Sequence, residues 1–260
     1  FAQPAMVVVG AGIISYFSTQ IGIPFIVAFF LGIILTGVLG LILERTFLRP
    51  MVGEPVFSVA VLTIGIDILL RVILDNWIGI NPKYMGDPFP SYGNFGSLNI
   101  GGLTVKYLEV TALITSLILI SILSVFFKRS KYGVAMRATS LDQEAALAQG
   151  INVGRVFGLV WFIAGLLAAF SGFFITGGFN TLTNTSFISA LRALPAVVIG
   201  GLDSITGAII GSLIIGLTQA YVGYYQFDIE SAYNIKLGNG FSIVAPYLIM
   251  FVILLVKPHG

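Results

Sequence analysis

No cysteine occurs among the 260 residues, and the one histidine, His259, lies next to the last position. Disulfides, thiolate metal sites and paired-imidazole metal sites are therefore excluded. Charge is nearly as scarce: Asp, Glu, Lys and Arg make up 9% of the chain, where a soluble chain carries about 25%. A surface this poor in charge does not face water. With 57% hydrophobic residues and a mean hydropathy of +1.01, its solvent is lipid. The 13 basic and 11 acidic residues leave a net charge of +2, too weak and too dispersed for nucleic-acid binding, so no nucleic-acid partner is expected. No glycine-rich loop ends in Gly-Lys-Ser or Gly-Lys-Thr, so the chain has no phosphate-cradling loop. No nucleophile has a partner base, and serines in apolar runs such as Ser171 and Ser212 read as helix-packing residues. The chain is not expected to be an enzyme or to hold a cofactor.

What is present is apolar length. A membrane helix needs about 20 apolar residues, and the first 43 residues carry no charge at all. Gln20 to Pro24 breaks that run into a short segment, Ala5 to Thr19, and a full one, Ile21 to Leu43, which the cluster Glu44-Arg45 with Arg49-Pro50 ends. Further segments are Val56 to Ile80, Tyr107 to Phe127, Val156 to Gly178, Ser204 to Tyr225 and Phe241 to Val256. Phe187 to Gly201, interrupted by Arg192 and Pro195, reads as a short or broken helix, a form tolerated only where protein or a wet cavity covers its backbone. The expected fold is an all-α polytopic integral membrane helical bundle of about seven membrane segments including that broken one. Asn81 to Gly102, rich in Gly, Pro, Asn and Ser, reads as a long turn-laden loop. Residues 1–260 read as one transmembrane domain, and no signal peptide is identifiable ahead of it.

Lysine and arginine set the orientation. Arg45, Arg49, Lys128, Arg129, Lys131, Arg137, Arg155 and Lys257 fall on one side, and Lys83, Lys106 and Lys236 on the other, if every segment crosses, the broken one included. The richer side is expected to be cytoplasmic. Small residues at helix-packing spacing, such as Gly207 and Gly211, then Ser212 and Gly216, point to closely packed helices.

Four features stand out within this frame. Asp67 and Arg71, four apart and acid first, share a helix face; ionisable groups inside a span mark a pathway or a buried interface, and an intramembrane structural ion pair is the favoured reading. Arg192 has no near acid in sequence and is expected to face an aqueous cavity or neighbouring carbonyls. The uncharged hydrogen-bonding run Asn180 to Ser186, with Thr183 and Asn184, fits either the polar part of a small solute or an external turn, so Asn180, Thr183, Asn184 and Arg192 are the candidate pathway residues. The cytoplasmic loop 128–155 contains a short helix, Ser140 to Gln149, with Ser140 as candidate cap, Asp142 and Glu144 in its first turn and Gly150 as its stop. Its exposed face reads as small and alanine-rich, suited to a connector or to insertion into a groove on a partner.

Here the residues resemble a known family. Gly133-Val134-Ala135-Met136-Arg137-Ala138, then Asp142, Glu144-Ala145-Ala146, Gly150-Ile151 and Arg155 resemble the cytoplasmic coupling segment of branched-chain amino acid ABC transporter permeases. Ile199-Gly200-Gly201-Leu202-Asp203-Ser204-Ile205 with Gly207-Ala208 resembles their Gly-Gly-x-x-Ser-x-x-Gly signature, with Thr206 where Pro is frequent. Glu44-Arg45 and Arg49-Pro50 resemble the LivH-type subunit, and Phe1-Ala2-Gln3-Pro4 is similar to the tail of its Asn-Phe-Ala-His-Gly element, with Gln and Pro in place of His and Gly. The resemblance implies an importer permease of the prokaryotic inner membrane, with a helix before Phe1 and a longer tail after Gly260. It implies ATPase coupling through Arg137, Asp142, Glu144, Ala145, Ala146 and Gly150. The implied partners are a LivM-like second permease, two cytoplasmic ATPase subunits, an extracytoplasmic substrate-binding protein, the small-molecule solute and membrane lipid. Branched-chain amino acids are the first expectation for that solute. Urea and short-chain amide permeases share these motifs, and a channel or ion-coupled carrier using Asp67 is the alternative from another class.

Overall fold

The computed structural model describes residues 1–79, 83–86, 96–100, 103–177, 181–183, 186–201, 204–234, 238 and 241–256. The candidate residues Asn180 and Asn184, with Lys236 and Lys257, lie outside them. The chain divides into two compact units, Phe1–Ala190 and Leu191–Gly260. Among the described residues five helices are long and apolar enough to cross a membrane, and Ser186–Gly200 and Phe241–Val256 are shorter apolar helical stretches.

The first unit is organised around its shortest apolar helix. α1 (Gln3–Ser15) is buried along almost its whole length, with Ala5, Met6, Ala11 and Ile14 sealed from solvent. A helix apolar on every side belongs in a core, and α2 (Phe25–Leu43), α3 (Val56–Ile78) and α7 (Val153–Gly177) surround this one. On α3 the residues Thr63, Ile66, Asp67, Leu70 and Leu74 form its buried helical stripe. A π-helical turn, Tyr16–Gln20, ends α1.

Lipid tails are as apolar as leucine, so hydrophobicity does not choose which face of a membrane helix turns inward; close packing does. On α2 the buried stripe is Ala28, Gly32, Thr36 and Gly40, spaced by four, whereas Ile26, Phe30, Ile34 and Ile42 are exposed. α7 meets α1 and α2 through glycines. A Cβ on Gly172 would lie 2.1 Å from the Val7 carbonyl oxygen, one on Gly165 2.4 Å from that of Thr36, and one on Gly40 2.3 Å from that of Trp161. Thr36 and Thr176 donate their hydroxyls to Gly32 O and Gly172 O on their own helices, so no buried hydroxyl is orphaned there. Phe25, Phe29, Phe170 and Phe173 fill the adjacent space, with ring centroids 5.1–5.9 Å apart.

Where α2 ends, a second π-helical turn, Glu44–Leu48, sets a buried carboxylate against an exposed arginine. A π turn brings residues five apart together, and Arg49 forks onto Glu44, Nε to Oε1 at 3.2 Å and Nη2 to Oε2 at 3.1 Å. Arg49 Nη2 also donates to the Gly154 carbonyl on α7 at 3.1 Å. Glu44 is 0% exposed, so this clamp fixes the end of α2 against the start of α7. The sequence shows these charges only as the end of a span, because an i, i+5 pair has no place in a regular 3.6-residue repeat.

The turn-laden loop contains strands. β1 (Lys83–Tyr84) pairs antiparallel with β4 (Thr181–Leu182), and β2 (Ser97–Ile100) forms a hairpin with β3 (Leu103–Lys106). Two- and four-residue strands are too short for alternation to register in the sequence. α4 (Tyr107–Arg129) follows β3 directly and buries only Leu108. α5 (Lys131–Leu141) and α6 (Gln143–Ala148) then lead into α7.

The broken segment is two helices, α8 (Ser186–Leu191) and α9 (Ala193–Gly200), parted at Arg192. In the second unit α9 packs on α10 (Ile205–Tyr233), and α11 (Phe241–Val256) lies against both. A Cβ on Gly207 would stand 1.8 Å from Gly200 O, and one on Gly211 2.1 Å from Ala196 O. Gly216, by contrast, has nothing within 4 Å and Ser212 is exposed, so only the first pair of the small-residue stripe forms this contact. α10 runs on past Tyr225 to Tyr233 and stops at Asn234, whose left-handed φ of 52° ends it.

Because backbone contact at Gly172 holds α7 to α1, Gly172→Leu is expected to destabilise the folded protein by at least about 1–3 kcal/mol, as overpacking does. Gly216→Leu, with open space around it, leaves stability unchanged. Thermal denaturation of the two variants followed by size-exclusion recovery checks this; equal recoveries contradict it.

Candidate functional site

Three places gather the residues singled out by the sequence. The first lies between α1, α3 and α8. Asp67 is buried and its carboxylate has two partners: Oδ1 accepts the Ala5 backbone N–H at 3.2 Å, and Oδ2 pairs with Arg71. Ala5 stands in the first turn of α1, where backbone N–H groups have no acceptor within their own helix. Arg71 in turn lies with its guanidinium carbon 3.6 Å from the centroid of the Phe187 ring, a cation–π contact. One acid on α3 thus reaches α1, and one base reaches α8. The sequence supplies the spacing of the pair but no sign of Ala5 or Phe187 as partners.

The second place is the break itself. Arg192 is half-buried, and its Nε is sealed from solvent without a hydrogen-bond partner among the described residues. Tyr247 of α11 donates its hydroxyl to the Leu191 carbonyl, 3.2 Å away, which satisfies one acceptor at the break. Thr183, the described member of the polar run, is engaged in a local turn: its N–H donates to Ser186 Oγ at 3.2 Å, and Ser186 N–H donates to Thr183 O at 3.0 Å.

The third place is the connection from α4 to α7. Ser130 caps α5 by accepting the Gly133 N–H at 2.9 Å, and Gly133 sits so close that a Cβ would lie 2.6 Å from the Phe126 and Phe127 carbonyl oxygens. Arg137 donates back to Phe127 O in the last turn of α4, where cations suit the exposed carbonyls. The short helix begins later than the Ser140 cap expected from sequence. Ser140 belongs to α5 and donates to Arg137 O at 2.9 Å, whereas Asp142 is the cap of α6, accepting from Glu144 N at 2.9 Å and Ala145 N at 3.0 Å. Both residues are good caps; the extended backbone of Asp142, φ −156° and ψ 114°, decides between them.

α6 ends in a Schellman turn. Gly150, at φ +79°, donates to Leu147 O at 2.9 Å, and Ile151 donates to Ala146 O at 3.0 Å. Asn152 then caps α7 through Oδ1 to the Arg155 N–H at 3.0 Å. The exposed face also differs from the small, alanine-rich one expected. Ala146 turns inward at 4% exposure, while Leu141 and Leu147 stand out at 88% and 55%, beside exposed Glu144, Ala145 and Ala148. Helix direction, set by the Asp142 cap and the Gly150 turn, decides which alanine is covered.

Among the described residues no three His, Asp or Glu side chains are placed to hold a metal ion. The arrangement instead offers a capped two-helix segment at one end of the first unit, an ion pair tying three helices, and a half-buried guanidinium at a helix break.

Comparison with known proteins gives this geometry its context. The family described as "Branched-chain amino acid transport system / permease component" matches residues 1–256. The permease BraD of a high-affinity branched-chain amino acid transport system in Pseudomonas aeruginosa is 26% identical, over 90% of this chain and 73% of its own length. LivH of Salmonella typhimurium, also a high-affinity branched-chain amino acid permease, is 28% identical over 90% and 73%. The galactose/methyl galactoside import permease MglC of Haemophilus influenzae is 30% identical over 53% of this chain and 44% of its own. No solved structure matches the chain. With its apolar helices and a match over nearly every residue, the chain is a multi-pass membrane protein that belongs to the family of branched-chain amino acid transport permease components.

Proposed function

We propose that this chain is one permease subunit of an ATP-driven importer in a prokaryotic inner membrane, forming part of the path for branched-chain or similar apolar amino acids. The observation that carries the reading is the build of the α5–α6 segment. It is capped at both ends and braced to α4 by Arg137, yet it leaves Leu141 and Leu147 exposed on a polar connection. A rigid knob of this kind transmits force when an apolar groove on an ATPase subunit holds it, because its caps resist fraying. The excess of Lys and Arg on this side supports placing it in the cytoplasm. Two such ATPases, a second permease and an extracytoplasmic binding protein complete the proposed importer; BraD and LivH are themselves named as permeases of high-affinity branched-chain amino acid transport systems.

Within the path Arg192 attracts the solute carboxylate or steadies a gate. Its Nε, sealed beside a helix break and without a partner among the described residues, gains an acceptor when a carboxylate or water reaches it. Thr183 lies on the polar run before α8, its hydroxyl within hydrogen-bond distance of Ser186 Oγ, 3.2 Å away. Asp67, the coupling acid of an ion-driven carrier, has both oxygens engaged by Ala5 and Arg71, which favours the ATP-driven reading. A sugar permease among the relatives shows that solute choice varies over this sequence pattern, so amino acids rest on the longer matches.

Leu147→Asp places a charge on the exposed knob without touching the core. It is expected to leave the protein folded and inserted but to weaken capture of the ATPase about tenfold, equivalent to ~1.4 kcal/mol, and to lower solute-stimulated ATP hydrolysis. Co-purification and hydrolysis at parental levels mean that the segment is only a connector.

The Asp67–Arg71 pair, in this reading, is structural. Arg71→Met strands a buried carboxylate at a cost of about 3–5 kcal/mol, and Asp67→Asn does the same to the guanidinium, whereas the double replacement recovers much of the loss. The amount of folded protein in membranes is the measurement; full abundance of Asp67→Asn with transport abolished assigns the acid to coupling instead.

A further inference from the structure

At the end of the first unit away from α5 and α6 lies a small cavity. α3 leaves the Glu44–Arg49 clamp region and runs 23 residues, about 34 Å at 1.5 Å per residue, to Trp77 near its far end. There the cavity, about 130 Å³, is lined by Gly12 on α1, Tyr16 and Gln20 on the π turn, Trp77, Lys83 on β1 and Leu182 on β4. It is too small for a drug-sized molecule, which occupies about 300–1,000 Å³. A molecule of a few atoms, or one end of a larger one, fits.

Its lining is chemically uneven. The Tyr16 and Trp77 rings stand with centroids 5.5 Å apart and planes inclined at 52°. Two further hydroxyls at its wall are already committed to the backbone: Ser15 donates to Tyr84 O at 2.6 Å and Thr19 to Ser15 O at 2.7 Å. Lys83 is half-buried and has no carboxylate within ion-pair distance among the described residues. Gln20 is exposed, and its amide makes no hydrogen bond within the described structure. Gly12 and Leu182, both buried, complete the lining.

One lysine with no acid beside it among the described residues, next to two aromatic rings, suits a ligand bearing both charges. An ammonium is drawn to aromatic faces, and a carboxylate to the lysine and to the Gln20 amide donors. We propose that this cavity is a receiving subsite for the charged head of an amino acid, with Lys83 and Gln20 taking the carboxylate, Tyr16 and Trp77 the ammonium, and the side chain left outside. The proposal rests on the importer reading and adds to it a place where the permease itself recognises its solute before the path opens. Lys83 falls among the lysines on the side opposite the proposed cytoplasmic one, the side from which an importer receives its cargo.

A chain without cysteine makes the test direct. In Thr19→Cys, at an exposed wall position that makes no proposed contact to the ligand, the single thiol is modified by a charged, water-soluble thiosulfonate in membrane fragments open on both sides, with the other subunits present. Occupancy at ten times Kd is expected to slow modification about tenfold when the ligand is L-leucine. Leucinamide, without the carboxylate, and 4-methylpentanoate, without the ammonium, protect far less. Adding Lys83→Met abolishes protection by leucine while the thiol still reacts. A thiol that never reacts, equal rates with and without leucine, protection by leucinamide equal to that by leucine, or protection that survives Lys83→Met each overturns the subsite. Uptake by the parent importer separates the two claims: ATP-dependent leucine uptake without protection of the thiol sinks the subsite alone. Lys83-dependent protection without ATP-dependent uptake sinks the ATP-driven reading and leaves the subsite standing.

Discussion

Backbone touching backbone in lipid is the contact on which the first unit depends. Water drives apolar helices together in a soluble protein, but a chain surrounded by hydrocarbon gains little from hiding leucine. Close approach at Gly172 against Val7, Gly165 against Thr36 and Gly40 against Trp161 supplies the dense packing instead. That is why a helix of only 13 residues, α1, can sit buried among longer ones. The same device returns in the second unit, where Gly200 and Gly207 bring α9 onto α10.

Charge fixes what packing alone leaves free to slide. Two glycine-lined helices have several registers of similar energy, and an ion pair with a buried carboxylate tolerates few of them because a displaced partner leaves that charge uncompensated. Glu44 and Arg49 hold the end of α2 to Gly154 at the start of α7. Asp67 and Arg71 tie α3 to the first turn of α1 and to Phe187. The α5–α6 segment enters this scaffold next to the first clamp, since α6 is joined to α7 by the Gly150 turn and the Asn152 cap. In the proposed mechanism a push on the segment is therefore delivered to a helix that cannot yield locally.

Much of this architecture was legible in the residues. Apolar length located the membrane segments, and Arg192 with Pro195 in a short run announced the broken helix. The runs around Gly133 to Arg155 and Ile199 to Ala208 carried the family resemblance, and the family is the one whose model matches the chain. Finer decisions were not legible, because they rest on contacts distant in sequence. Ser140 and Asp142 are equally good caps in isolation, and only the course of α5, braced by Gly133 and Arg137, assigns the role to Asp142. Ala146 looks like its neighbours 145 and 148 until α6 is laid beside α7. The π turns at Tyr16–Gln20 and Glu44–Leu48 carry no periodic signal, so the Glu44–Arg49 fork and the cavity beside Tyr16 stayed hidden.

The measurement that bears most directly on this account is leucine uptake into proteoliposomes holding the chain with its ATPase, second permease and binding-protein partners, with ion gradients collapsed by ionophores. Uptake that persists there, and stops when ATP is withheld, is the predicted result. Uptake that follows a proton or sodium gradient and proceeds without any ATPase subunit contradicts the account.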